Sequence, residues 1–321
     1  MFRKLLATAA AALIATTGVA SAEDKITAAS CWSEGSFFSK RLEAMIETVN
    51  EKGAGTIQID YVGGAPAIGS PFTVVQKTAQ GVYDLVVCTS AYYANVLPEA
   101  DAYKLMEKPP AEVRENGGWQ IMEEVHRKKN LVPLARIHHG VQFHLYLAEG
   151  HKIDKPDLTG KHLRTVPIYT NFFKALGATT QNSGAAQIFT LMENGTVNGY
   201  GWPVLGHQPG WETVTKYRVD PGFYDVDLQF LANARVWDGL SEESRKLILD
   251  ESLAIEAAAT TGDPELAKKI ADKQAAENFE IITFTGADAD AYLAASRDAG
   301  WAGVAETDAE LAATLRPLFS N

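Results

Sequence analysis

Residues 26–88 alternate between two hydrophobic periods, and that alternation limits the folds open to this chain. Ile26–Cys31 is a short apolar run of strand type. Phe38, Leu42, Met45, Ile46 and Val49 then recur at helical spacing within Phe37–Lys52, and Gly53-Ala54-Gly55 stops the helix. Thr56–Val62 alternates as a strand, and Gly63-Gly64-Ala65-Pro66 turns the chain. Pro71–Gln80 is a second helix, and Tyr83–Cys88 a third strand. Strand, helix, strand, helix, strand predicts a sheet of parallel type with crossover helices. Ligands of such open sheets bind outside the carboxyl ends of the strands. Here those ends carry Cys31-Trp32, Gly63-Gly64 and Thr89-Ser90.

The rest of the chain repeats the grammar less regularly. Glu99–Asn130 is charged and irregularly helical, and strands are expected at Leu131–His138 and Gln142–Leu147. The second of these crosses toward another domain. Gly160–Pro203 holds a strand ending in Arg164, a helix from about Thr170, a strand at Ala178–Gln181, a helix to Asn194 and a strand and loop at Val197–Trp202. Val214–Arg218 and Asp227–Asn233 read as strands. Leu240-Ser241-Glu242-Glu243 caps a long helical region reaching about Glu277, within which Gly262-Asp263-Pro264 offers a break. A strand at Ile281–Phe284 and two helices, Asp288–Ala299 and Ala305–Leu318, close the chain.

Targeting and charge narrow the function. Met1-Phe2-Arg3-Lys4, the apolar run Leu5–Val19 and Ala20-Ser21-Ala22 have the three parts of a secretory leader. The run is shorter than the about 20 residues needed to span a bilayer, and no later segment has one, so no membrane insertion of the mature chain is expected. The chain has 29 basic and 40 acidic residues; without Arg3 and Lys4 the basic count is 27 and the net charge −13. So acidic a surface does not suit nucleic acid. An anionic small molecule is compatible with it, because salt screens remote charges beyond about 8–10 Å. The two cysteines, Cys31 and Cys88, sit at ends of strands that can be neighbours. A disulfide and a pair of buried thiols both fit.

Among the side chains that carry chemistry, Arg164 stands out. It ends a strand, Tyr169, Asn171 and Phe172 follow, and the strand at Tyr200–Trp202 should lie beside it. A guanidinium presents a planar fork that matches a carboxylate through two parallel hydrogen bonds. Trp32, Phe37, Tyr92, Tyr169, Phe172 and Trp202 fall mostly just after strand ends, although any of them also suits a core. His138 and His139 point to opposite faces if extended, so they do not make a metal site, and no metal or cofactor is expected. Ser36, Ser90 and Ser183 lack a nucleophile elbow. Gly63-Gly64 and Gly199-Tyr200-Gly201 lack the features of a phosphate loop.

The motif set resembles one family. Asp157–Pro167 reads D-L-T-G-K-H-L-R-T-V-P, Phe172–Ala178 reads F-F-K-A-L-G-A, and Gly195–Pro203 reads G-T-V-N-G-Y-G-W-P. With V-N-E-K-G-A-G at Val49, Q-G-V-Y-D-L at Gln80, P-G-F-Y at Pro221 and W-D-G-L-S-E-E-S-R at Trp237, nearly the whole mature chain is similar to the solute receptors of tripartite ATP-independent periplasmic (TRAP) transporters, the DctP-like family. G-K-H-L-R is the most specific part.

The resemblance implies a two-domain periplasmic-binding-protein-like α/β fold with a cleft between the domains and a long helix toward the C-terminus. After the leader at 1–22, it places one domain at 23–141 with about 228–268, and a second at 142–227 with about 269–321. It makes Arg164 the carboxylate anchor and adds Thr89, Ser90, Tyr92, His144 and Trp202 as ligand positions. His144 stands where sialic-acid-type relatives have a second arginine, Trp202 where they have an asparagine, and Gly201 where they have a glutamate. Of the Glu-Trp pair with which some relatives hold a cation, only the tryptophan stands here. Asn182-Ser183-Gly184 stands for a common Met-Pro pair, and Asn198 for an aspartate. The ligand set then comprises Arg164, Trp202, His144, Tyr169, Thr89, Ser90, Tyr92, Trp32, Phe37, Asn171 and Phe172. Its character favours an aromatic or a short α-keto or α-hydroxy acid over a sugar acid. The implied partners are a small organic acid and the membrane permease subunits of a TRAP transporter. A secreted enzyme acting on a small acid and an ABC-type receptor are the alternatives.

Overall fold

The computed structural model describes residues 23–320; the leader expected at 1–22 lies outside them. The strands are β1 (Asp24–Ser30), β2 (Ile57–Gly64), β3 (Leu85–Thr89), β4 (Leu131–Arg136), β5 (Gln142–Leu147), β6 (His162–Thr165), β7 (Thr179–Asn182), β8 (Gly199–Pro203), β9 (Tyr217–Asp225), β10 (Leu228–Asn233) and β11 (Glu280–Thr283). They form two sheets, ordered β2-β1-β3-β10-β4 and β11-β9-β5-β8-β6-β7.

The alternation in residues 26–88 yields the parallel set β2-β1-β3. The helix Lys40–Lys52 buries Leu42, Met45, Ile46 and Val49, the stripe its spacing marks out. The sheets are nevertheless mixed. β10 runs antiparallel to β3 and β4, and β5 antiparallel to β8 and β9. The physical reason is the connection. The chain passes from β4 into β5, and from β9 into β10, through a few residues with no crossover helix, so the entering strand need not run parallel to its neighbours. Each of these short passages leads from one sheet to the other.

A third passage is the helix Glu242–Glu277. At 36 residues it is about 54 Å long, enough to reach along both sheets. Ser241 caps it by accepting from the Ser244 N–H. The break offered by Gly262-Asp263-Pro264 does not occur. Asp263 is pinned by Arg41 (3.0 Å from Nη1) and by His138 Nδ1 (2.7 Å), which hold the turn in place although Pro264 donates no backbone hydrogen bond. The strand expected at Val214–Arg218 starts later; Trp211–Val214 is a helical turn, and β9 runs through Pro221-Gly222 to Asp225 with register shifts against β5.

The closing helices Gly286–Thr307 and Ala309–Phe319 also join the two halves. The first packs on both Pro98–Leu105 and the helix Pro167–Ala175, where Lys104 Nζ donates to the Ile168 carbonyl. Cys31 and Cys88, at the ends of neighbouring β1 and β3, form a disulfide with their Cα atoms 5.2 Å apart. Of the two states the sequence left open, the bridged one is present. Among the described residues no helix is long and apolar enough to cross a membrane.

Candidate functional site

A cavity of about 810 Å³ lies where carboxyl ends of strands from the two sheets meet. Trp32 and Phe38 enter it after β1, Tyr92 after β3, Ser183 after β7 and Trp202 from β8. A smaller space of about 30 Å³ continues beneath, lined by Thr89, Phe143 and Tyr169 and sharing Trp32, Phe38, Tyr92 and Trp202 with the first. The shared walls are a ring cluster: Trp32 stands 5.2 Å from Phe38 and 5.6 Å from Tyr92, and Phe38 meets Trp202 edge-on at 5.9 Å.

Arg164 stands directly behind this wall, with none of its surface exposed. Its Nε donates to Ser183 Oγ (3.3 Å), and its Nη1 to the Tyr169 hydroxyl (3.0 Å) and the Gly201 carbonyl (3.4 Å). Its Nη2 donates to the Ser183 carbonyl. The guanidinium carbon is 5.8 Å from the Trp202 ring. All of these partners are neutral. The other fully buried arginine, Arg136, has Asp225 at 3.7 Å, and Arg218 has Asp220 at 3.0 Å. Among the described residues no carboxylate pairs with Arg164. Burial pushes the neighbouring Tyr92 phenol up, and the Arg164 charge and hydrogen bond work against that rise. The indole N–H of Trp202 is buried without a partner.

The residues singled out from sequence divide into three groups. Trp32, Phe37, Tyr92 and Trp202 line the main cavity, and Thr89 and Tyr169 the space beneath it. Arg164 touches both through Ser183, Tyr169 and Trp202. Ser90, His144, Asn171 and Phe172 line neither.

Each exclusion has a cause. Ser90 is fully buried, its N–H donating to Asp227 (2.8 Å), which also accepts from Thr89 Oγ1 (2.9 Å) and so anchors the turn that carries Tyr92. Helical geometry turns Asn171 outward to solvent while Tyr169 faces inward, and Phe172 packs on Phe223 at 4.9 Å and Tyr292 at 5.1 Å. His144 lies opposite Trp202 in register, but its Nδ1 is held by Asp220 (2.9 Å) and the Val219 carbonyl (3.0 Å). Gly201 also has a local reason. A Cβ there would lie 2.6 Å from the Tyr169 ring, so a glutamate has no room beside this tyrosine.

Sequence reasoning missed Phe38, Ser183 and Asp227. Phe38 carries only the signal of a helix-face core residue, and Ser183 only that of a hydroxyl with no elbow. Asp227 heads a strand with nothing to mark its long-range partners.

His144 thus belongs to a hydrogen-bond network with Asp220 and Arg218. Burial works to raise the Asp220 carboxyl, but hydrogen bonds from His144 and Arg218 outweigh it and hold it at about 2. Depression from the ordinary 3.8 contributes stability that is complete above about pH 4 and is lost as the pH falls through about 2. Asp220→Asn is therefore expected to cost about 2 kcal/mol at pH 7. In urea titrations the gap to wild type should shrink below about half by pH 2. A gap independent of pH would remove Asp220 from the network's energetics.

The family model for bacterial extracellular solute-binding proteins, family 7 (DctP), matches residues 28–299. The chain belongs to this family. It is a solute receptor and not an enzyme. A solute-binding protein of Roseobacter denitrificans is 25% identical over 267 residues, covering 79% of this chain and 78% of the relative. The structure of that protein, solved with L-galactonate bound, superposes with a TM-score of 0.76 at 18% identity over 93% of this chain and 99% of the other. A TRAP receptor from Ralstonia eutropha with bound (S)-2-acetolactate gives 0.78 at 19% identity, over 92% and 98% of the two chains. One from Desulfovibrio salexigens with bound orotic acid gives 0.79 at 16%, over 92% and 99%.

Proposed function

We propose that the protein is the periplasmic receptor of a TRAP transporter, that it binds a small organic acid through an Arg164–carboxylate pair, and that it delivers the acid to the membrane permease subunits. One observation carries this reading: Arg164 is a fully buried cation with only neutral partners, beside a cavity between two sheets. A buried charge without a counter-charge is costly, and a carboxylate reaching it relieves that cost. The anion replaces neutral acceptors, the Ser183 carbonyl and the Tyr169 hydroxyl, by a charged one, and charge-assisted bonds are roughly twice as strong. The Trp202 N–H supplies a further donor at the same wall.

The ligand proposed is an aromatic or a short α-keto or α-hydroxy acid. The ring cluster of Trp32, Phe38, Tyr92 and Trp202 supports it, since flat or compact acids cover such walls without stranding hydroxyls on them. The acetolactate and orotic acid of two similar structures are of these kinds; the L-galactonate of the Roseobacter protein is a sugar acid, which makes that class the rival. The reading also assigns residues 23–141 with about 228–268 to one lobe and 142–227 with about 269–321 to the other. In support, each sheet draws all its strands from one of these sets.

A thermal-shift screen over carboxylates tests the proposal. An acid present at about 100 times its Kd is expected to add roughly 2.7 kcal/mol of stability. Aromatic and α-keto acids should rank above galactonate. No shift with any carboxylate would overturn the acid-ligand reading, and a screen led by galactonate would overturn the proposed class of acid alone.

A further inference from the structure

Phe38 comes from the lip of the first sheet, between β1 and the helix Lys40–Lys52, and Gly206 from the lip of the second, just after β8. Gly206 has φ +73°, and a Cβ added to it would lie 2.6 Å from Cε2 and 2.7 Å from Cζ of the Phe38 ring. The ring therefore rests on the bare backbone of the opposite lip. Away from the cavity its retreat is blocked. Trp32 (5.2 Å), Phe37 (5.2 Å) and His138 (5.8 Å) pack around it, and His138 is tied to Asp263 of the long helix. On its remaining side it meets Trp202 edge-on. Both Phe38 and Gly206 line the main cavity.

We infer that Phe38 seated on Gly206 is the latch of the cleft, the contact by which the two lips hold each other over the cavity and which governs how long a ligand stays. The inference rests on the receptor reading for its purpose, but its geometry is independent of which acid is bound. A side chain at position 206 acts as a wedge, because the ring it meets is fixed from behind. The outer atoms Cε2 and Cζ make the collision, so a side chain at position 38 that lacks them relieves it.

Backbone hydrogen exchange on the full mature chain tests this without a ligand, across wild type, Gly206→Ala, Gly195→Ala and the double variant Gly206→Ala with Phe38→Leu. Gly195 also has a left-handed φ, +65°, but nothing lies within 4 Å of an added Cβ, so Gly195→Ala carries the backbone strain without the clash. In Gly206→Ala the amides of residues 33–39 and 204–208 are expected to exchange about tenfold faster, with protection elsewhere unchanged. Gly195→Ala should match wild type in both segments, and the double variant should return toward it. Unchanged exchange in Gly206→Ala would overturn the latch. So would equal loosening of the two lips in Gly195→Ala, or a double variant as loose as Gly206→Ala. If the latch behaves as expected while no acid shifts the melting temperature, the acid-ligand reading fails and the latch stands; the reverse pattern sinks the latch alone.

Discussion

Arg164→Met is expected to weaken acid binding at least about 100-fold while changing stability by no more than about 2 kcal/mol. The binding loss follows from two parallel charge-assisted hydrogen bonds in a desolvated site, each worth roughly 1.5–3 kcal/mol; every 1.4 kcal/mol is about tenfold in Kd. The small effect on stability reflects two opposing changes. Removing the side chain leaves the Ser183 carbonyl without its donor. It also removes a fully buried charge that has no counter-charge in the free protein. The Gly201 carbonyl keeps the Tyr169 hydroxyl, 2.7 Å away, as donor. Arg164→Lys keeps the charge and loses the fork, so an intermediate loss of about tenfold is expected. Calorimetric titration with the best acid of the screen, paired with urea melts, separates the two effects. Affinity within threefold of wild type in Arg164→Met would show that the carboxylate is held elsewhere.

Removing the disulfide, by Cys31→Ser together with Cys88→Ser, is expected to cost about 4 kcal/mol and to lower the melting temperature by about 10 °C. The bridged residues are 57 apart in the chain, and freeing a loop of that length restores this much entropy to the unfolded state. The bridge also has a local consequence. Trp32 follows Cys31 directly, and Thr89 follows Cys88, so the bridge ties together the roots of two walls of the cavity. Ligand affinity should therefore fall as well, by less than in Arg164→Met. Differential scanning calorimetry of the double variant beside oxidised wild type is the check. Equal melting temperatures would mean that strand pairing alone holds β1 to β3.

Much of this is legible in the sequence. Hydrophobic period is a local property, and it marked β1, the helix Lys40–Lys52 and β2 with their buried faces. The strand-end rule then pointed to Trp32, Thr89 and Tyr92, because side chains just past a parallel strand have few places to go except the crevice. Elsewhere local signals misled. A glycine-aspartate-proline run reads as a helix stop, and only the grip of Arg41 and His138 on Asp263 shows why the long helix continues. Around His144, nothing local marks Asp220, whose carboxylate lies 2.9 Å from its Nδ1.

By itself the sequence determined the α/β class, the family, and Arg164 as a strand-end cation near aromatic residues, since all three rest on short-range pattern. Tertiary structure decided the rest. It set which strands run antiparallel, whether the two cysteines are joined, and which candidates share one cavity. It took Ser90, His144, Asn171 and Phe172 away from that cavity and brought Phe38 into it. The reason is that these outcomes depend on partners far apart in the chain, such as Phe38 with Gly206 or Thr89 with Asp227, and a contact between distant segments leaves no period or spacing in either one.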